Sequence, residues 1–308
     1  MANQRMASQR MASAEELERK LQSHAELRSI VKTMKALSAA SIRQYEHAAQ
    51  ALGDYYRTVD LGLRAVLGRT DPLAVPARVP KGATAVVVVI GSDHGLCGRV
   101  NEEVAQLACA RLSALRTHGG ELCTMAVGAR MPPLLESAGW PVRSLIEAPG
   151  SAARIKTVVQ EILLTVDAWR AHSDLASLAV VYAHHRGATA YRPVYRLLFP
   201  IDPARFRERR ARPWPGRSRP LYTVAGERLL GSLVQQMLFV SLFRACAESQ
   251  ASEHGSRLAA MTAAEHNLDD RIAEVTAEFR RVRQGAITAE LLDVVAGYEA
   301  LGGASTDR

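Results

Sequence analysis

The chain has 308 residues, 48% of them apolar, 23% charged and 5% aromatic, which suits one or two globular domains with a sizeable core and excludes a wholly disordered chain. Lys and Arg number 39 against 31 Asp and Glu, a net charge of +8. That balance favours an acidic protein, a nucleic acid or an anionic membrane surface as partner without choosing among them. The longest apolar stretch, residues 229–246, is broken by Ser232, Gln235, Gln236 and Arg244, so no membrane-spanning segment is expected.

Residues 1–14 repeat a short unit, MANQR then MASQR then MAS, with no helical apolar period, and read as a disordered tail. From Glu15 the pattern changes. Leu17, Leu21, His24, Leu27, Ile30 or Val31, Met34, Leu37, Ser41, Tyr45, Ala48, Leu52, Tyr55, Val59, Leu63 and Val66 recur every three or four residues, which predicts one helix over 15–70. Prolines 72, 76 and 80 then mark a domain boundary. An α/β domain is expected over 81–200. The run AVVVVI at 85–90 looks like a strand buried on both faces. Further strands are expected at 122–127, 142–146, 178–182 and 191–198, and helices at 100–117, 131–138 and 152–171. Alternating strands and helices imply a doubly wound sheet, the last two strands joined as a hairpin across 185–190.

The arginine-rich segment 201–222 follows: seven of the residues 205–219 are arginine against one acid, Glu208. A second long helix is expected over 223–302. Within it Leu258, Met261, Glu265, Leu268, Ile272, Val275, Phe279, Val282 and Ala286 fall on a heptad seam with one polar member. Beyond it the apolar positions step by one residue, to Ile287, Leu291, Val294, Tyr298 and Leu301. Two long terminal helices around one α/β domain admit an intramolecular antiparallel coiled coil or dimerisation through each helix.

Candidate chemistry is sparse. The turn GSDHGLCG at 91–98 sits where an α/β fold binds phosphate. Its glycine spacing is neither GxGxxG nor a P-loop, and no lysine follows. Ser92, Asp93 and His94 are too close in one turn for a hydrolytic relay. His94, Cys97, His184 and His185 make a poor metal set, and His254 and His266 lack i,i+4 spacing. No metal or cofactor is assigned. Phe206 and Trp214 among the arginines leave two readings open for that loop, a nucleic-acid contact and a solvated segment. The four cysteines, 97, 109, 123 and 246, have no paired spacing and the N-terminus has no apolar signal core, so a reducing, cytoplasmic setting without disulfides is expected.

Three segments together are specific. IVKTMKALSAA at 30–40, SDHGLCG at 92–98 with Asn101, and SEH at 252–254 with Arg257 and Met261, followed by RQGAITAEL at 283–291, resemble in order and spacing the signatures of the γ subunits of F-type ATP synthases. His94 stands where arginine is usual there, and Arg99 and Val100 replace glycine and phenylalanine. The resemblance implies an α/β fold with a long antiparallel coiled coil of the N- and C-terminal helices and a central Rossmann-like domain. It implies a rotor without a catalytic site or cofactor of its own, whose partners are the α and β subunits of the catalytic head, the ε subunit and the c-ring, with no nucleic acid and only peripheral association with the cytoplasmic face of a bacterial inner membrane. Carried over position by position, contacts to the catalytic head would come from Arg28, Lys32, Met34, Lys35, Arg257, Arg283, Gln284, Thr288 and Glu290. Val294, Val295, Tyr298 and Leu301 would turn in an apolar bearing, and Arg207, Arg209, Arg210 and Arg212 would face the ring.

Overall fold

A computed structural model describes residues 2–67, 83–116, 121–172, 174–200, 214 and 221–303. The chain forms two compact units, Leu37–Ala260 on one hand and Met1–Ala36 with Met261–Arg308 on the other.

In the unit Leu37–Ala260 the strands β1 (Thr84–Ile90), β2 (Leu122–Val127), β3 (Ser144–Ile146), β4 (Leu175–His185) and β5 (Tyr191–Phe199) form one sheet in the order β3-β2-β1-β4-β5. The first four run parallel, and β5 returns antiparallel through the expected hairpin. Val86, Val88 and Ile90 pack with Ile155, Val159 and Ile162 of helix α5 (Ile155–Arg170) and with Tyr45, Leu242 and Cys246 from the long helices. Val87 and Val89 pack on the other face with Val104, Ala108 and Leu112 of α3 (Val100–Arg116) and with Met131 and Leu135 of α4 (Met131–Glu136). Both faces of β1 are therefore covered, which is why its sequence is continuously apolar instead of alternating.

The N-terminal helix differs from expectation at both ends. Helix α1 spans Ala2–Ala51, so residues 2–14 continue the helix. The repeat is mostly Ala, Met, Gln and Arg, good helix formers, with Asn3, Ser8 and Ser13 among them and no proline or glycine. A turn at Leu52 separates α1 from α2 (Gly53–Leu67), and glycine at the first position of α2 accounts for the break. Helix α6 runs Gly226–Gly303. One 18-residue stretch of it reaches a mean hydropathy of 1.4, enough by length and composition for a membrane span. The sequence reading excluded this on the strength of its interrupting polar residues. Here Leu238, Phe239, Leu242, Phe243 and Cys246 pack into the sheet's core, so that apolarity is used inside the protein. Val59 and Leu63 of α2 meet Leu230, Leu233, Val234 and Met237 of α6.

In the other unit α1 and α6 pair antiparallel. On α6 every seam position from Met261 to Ala286 is buried or half-buried, as the heptad requires. The α1 seam needs correction: Leu27, Ile30 and Leu37 are exposed. The buried or half-buried positions are Leu17, Leu21, His24, Val31, Met34 and Lys35, while Arg28 is exposed. Periodicity misplaces the exposed leucines and isoleucine, because half-buried Lys35 is balanced by Glu265 of α6 and exposed Arg28 meets Asp269 beside the seam.

Candidate functional site: the crossing of α6 over the strand ends

The strand order β3-β2-β1-β4 reverses between β1 and β4, and the crevice beyond their C-terminal ends is where open α/β sheets bind ligands. In this chain α6 lies there. Ser252 Oγ donates to Ala183 O at 2.9 Å, Ser256 Oγ to Cys97 O at 2.6 Å, and Arg257 Nη2 to Gly95 O at 3.3 Å. Close approach depends on missing side chains. A Cβ on Gly255 would stand 2.8 Å from Ala188 O, and one on Gly98 would stand 2.7 Å from Ser256 Oγ.

The 91–98 turn is organised from within. Asn101 accepts from Ser92 N at 3.1 Å and donates to Ser92 Oγ at 2.8 Å. The Asp93 carboxylate accepts from Ala129 N at 2.9 Å and from Ala148 N at 3.0 Å, tying the loops after β2 and β3 to the loop after β1. A carboxylate of the chain thus occupies backbone N–H groups of the kind an anion would use. Ser92 Oγ donates to the His94 backbone carbonyl at 2.7 Å, so Ser92, Asp93 and His94 form no relay. Leu96 is held at φ 61° with its side chain exposed, a conformation that the surrounding bonds over-determine.

The buried charges are paired. Arg257, 7% exposed, meets Glu253 Oε1 at 2.6 Å, and Gln250 also donates to Glu253. Burial raises the Glu253 carboxyl, against the opposing pull of Arg257. His254 stacks on Tyr45 at 5.6 Å, and Tyr45 donates to Pro149 O at 2.8 Å. Burial, and then the Arg257 charge, push the His254 imidazole down to about 4. Burial would raise Glu248, but hydrogen bonds from His184, Arg244 and Tyr182 outweigh it and hold its carboxyl below the usual range. The corresponding distances are 2.6, 2.6 and 2.9 Å. His185 turns to Glu46 of α1 at 2.8 Å. The two histidines at the end of β4 therefore attach the hairpin to both long helices. Among the described residues no group of three or more His, Cys, Asp and Glu can hold a metal ion.

The expected contact residues divide. Arg257 is buried, its guanidinium held by Glu253 and by Gly95 O. Arg28 and Lys35 reach Asp269 and Glu265 across the seam at 2.5 and 2.8 Å. Lys32 is exposed and Met34 half-buried, and Arg283, Gln284, Thr288 and Glu290 are exposed. Thr288 Oγ1 donates to its own helix at Gln284 O. Val294, Val295 and Tyr298 are exposed, while the Leu301 side chain and Arg207, Arg209, Arg210 and Arg212 lie outside what is described. Sequence reasoning named Tyr45 only as a seam position and Asp93 only within the SDHGLCG turn, and missed Glu248, Gly255 and Ser256. A signal existed: between Ala245 and Ser256 the helix carries Ala245, Cys246, Ala247, Ser249, Ala251, Ser252 and Gly255, a run of small residues suited to close backbone approach.

These features define a class: an α/β domain whose switch-point crevice is filled by its own C-terminal helix, both chain ends being drawn out as paired helices. The model of the ATP synthase family matches residues 13–301, and the chain belongs to that family. Among its relatives, the ATP synthase gamma chain of Methylibium petroleiphilum is 28% identical over 95% of this chain and all of its own length. That of Albidiferax ferrireducens is 25% identical with the same coverage. In fold, the chain resembles one from the Euglena gracilis mitochondrial ATP synthase OSCP/F1/c-ring structure, with a TM-score of 0.65 at 16% identity over 96% of this chain and 97% of that one. A chain of the rotor structure from the same organism gives 0.59, covering 90% and 99%.

Proposed function

We propose that the chain is the central-stalk rotor, the γ subunit, of an F-type ATP synthase, carrying torque between a membrane ion-translocating ring and a catalytic head and so coupling ion flow to ATP synthesis or hydrolysis. The observation that carries this reading is the α1–α6 seam, an antiparallel pair of helices whose inward positions keep a heptad from Met261 to Ala286. Catalysis belongs to the partner β subunits, and the chain adds no catalytic group or cofactor of its own. Its partners are the α and β subunits, the ε subunit and the c-ring, at the cytoplasmic face of a bacterial inner membrane.

The mechanism is differential contact. One asymmetric rod inside a ring of three similar sites touches each at a different angle, biasing each toward a different conformation. Moving a two-state site from 1:99 to 99:1 requires contacts that differ by about 5.5 kcal/mol. Arg28, Lys32, Met34, Lys35, Arg283, Gln284, Thr288 and Glu290 serve as head contacts, and Val294, Val295, Tyr298 and Leu301 as an apolar bearing. Arg207, Arg209, Arg210 and Arg212 face the ring, where positive charge is favourable against acidic loops or anionic headgroups within a Debye length of about 8 Å. The test is affinity purification of the tagged chain from gently solubilised membranes. An ATPase head and ring proteins should co-purify; recovery with nucleic acid in their place overturns the reading.

A further inference from the structure

The repeat MANQR, MASQR, MAS has no part in the proposed function, yet it continues α1 as helix back to Ala2. Residues 2–12 precede the segment that the family model matches. Lys35 Nζ donates to Glu265 Oε2 at 2.8 Å, which sets those two positions side by side across the α1–α6 pair. Counting equal numbers of heptads in opposite directions along the two helices brings Ala14 opposite Ala286, and Ala7 opposite Asp293. Ala14 is half-buried and Ala286 is 8% exposed. Asp293 is half-buried too, while Ile287, Leu291, Leu292, Val294 and Val295 around it are exposed. The α6 seam therefore keeps its heptad past Ala286 and does not step to Ile287, Leu291 and Val294, as their apolarity suggests. The charges agree. Residues 2–12 hold Arg5 and Arg10 and no acid, and residues 286–296 hold Glu290 and Asp293 and no base.

We propose that residues 2–12 are the second helix of the rotor tip, lying along residues 286–296 on the seam side of α6. The apolar stripe of Ile287, Leu291, Val294 and Tyr298 stays exposed, and is the side open to a partner. Ala7, Ala14, Ala286 and Ala289 hold the seam positions at this end of the pair, and small side chains there allow a short distance between helix axes. An isolated helix shorter than about 12–15 residues is marginal in water, so α6 past Ala286 gains order from a helical neighbour before any partner closes around it. The pairing stands independently of the proposed function. Its use rests on that function: a collar that surrounds the tip would turn against two helices moving as one body, and torque would pass into the shaft through the pair.

Disulfide cross-linking of the full chain tests the pairing, with Cys109, the one native cysteine that is not buried, replaced by serine. Ala14→Cys with Ala286→Cys gives the reference bond. Ala7→Cys with Asp293→Cys should cross-link at a comparable rate, and Ala7→Cys with Leu292→Cys, at an exposed position, about tenfold more slowly. Equal rates at 293 and 292 overturn the pairing. Hydrogen exchange reads the same contact without cysteines. Met11→Pro, which interrupts a helix, should speed exchange of the amides of residues 289–296 about tenfold and leave those of residues 261–282 unchanged. Unchanged exchange at 289–296 overturns the pairing as well. In the assembled complex the 7–293 disulfide should leave ATP-driven ion pumping intact, because the two helices already turn together. Loss of pumping on oxidation, restored by reduction, overturns the shared rotation. Cross-linking and exchange need no partner, so their failure is distinct from failure to co-purify with an ATPase.

Discussion

Where α6 crosses the strand ends it buries polar side chains and bonds three of them to the α/β domain: Ser252 to Ala183, Ser256 to Cys97 and Arg257 to Gly95. Past Ala286 the same helix exposes Ile287, Leu291, Leu292, Val294, Val295 and Tyr298. Buried polar groups tolerate no mismatch, since each needs its partner at a fixed distance and angle. Exposed apolar groups are non-directional and accept any apolar cover. The first region is built as a permanent joint; the second, under the proposed function, would be the surface against which another body moves. Each prediction below tests one side of that contrast.

The largest effect belongs to the joint. Arg257→Met leaves Glu253 buried beside no cation and frees Gly95 O, so the purified chain should lose about 3–5 kcal/mol of stability in urea unfolding. Combining Arg257→Met with Glu253→Leu should recover most of that loss, because both charges then leave the interior together. A single-variant loss below about 1 kcal/mol would mean that the ion pair is ornamental and that the joint rests on Ser252 and Ser256 alone.

The joint also has a pH signature. His254 is held down to about 4 in the folded chain, against an ordinary value of about 6.5. The folded state therefore binds fewer protons than the unfolded state between these values, and stability falls as pH drops through that window. The loss approaches about 3 kcal/mol when the window has been crossed. His254→Phe keeps a ring against Tyr45 and removes the titration, so its unfolding curves should be flatter between pH 6.5 and 4 than those of the parent. Equal slopes in both chains would place the acid sensitivity elsewhere.

The sequence made the sheet legible because its strands are apolar runs between glycines and prolines. It made α6 legible because the apolar period is long enough to average out single exceptions. The α1 seam was misread at Leu27 and Leu37, since periodicity rewards apolar residues and cannot see that Asp269 and Glu265 supply countercharges for Arg28 and Lys35. The joint was half visible. SDHGLCG and SEH could be matched as motifs, but nothing local shows that Asp93 reaches Ala129 and Ala148, or that Gly255 makes room for Ala188. Those are contacts between segments far apart in sequence, and residue spacing within one segment carries no information about them.

The smallest effect on stability belongs to the exposed end, and there it is informative. Leu291, Val294 and Tyr298 are 61%, 69% and 79% exposed, so replacing each by serine removes little burial within the chain. Each substitution should change the unfolding free energy of the purified chain by no more than about 0.5 kcal/mol. Inside a collar of partner subunits the same side chains would each be worth about 1.5–3 kcal/mol when covered, without a directional bond that holds one angle. The triple serine variant should therefore assemble more weakly, or pump fewer ions per ATP hydrolysed, while its α/β domain unfolds as before. If the isolated chain instead loses more than about 2 kcal/mol, the stripe is part of the chain's own core and the contrast with the joint disappears. If neither stability nor coupled pumping changes, Leu291, Val294 and Tyr298 do not form the bearing.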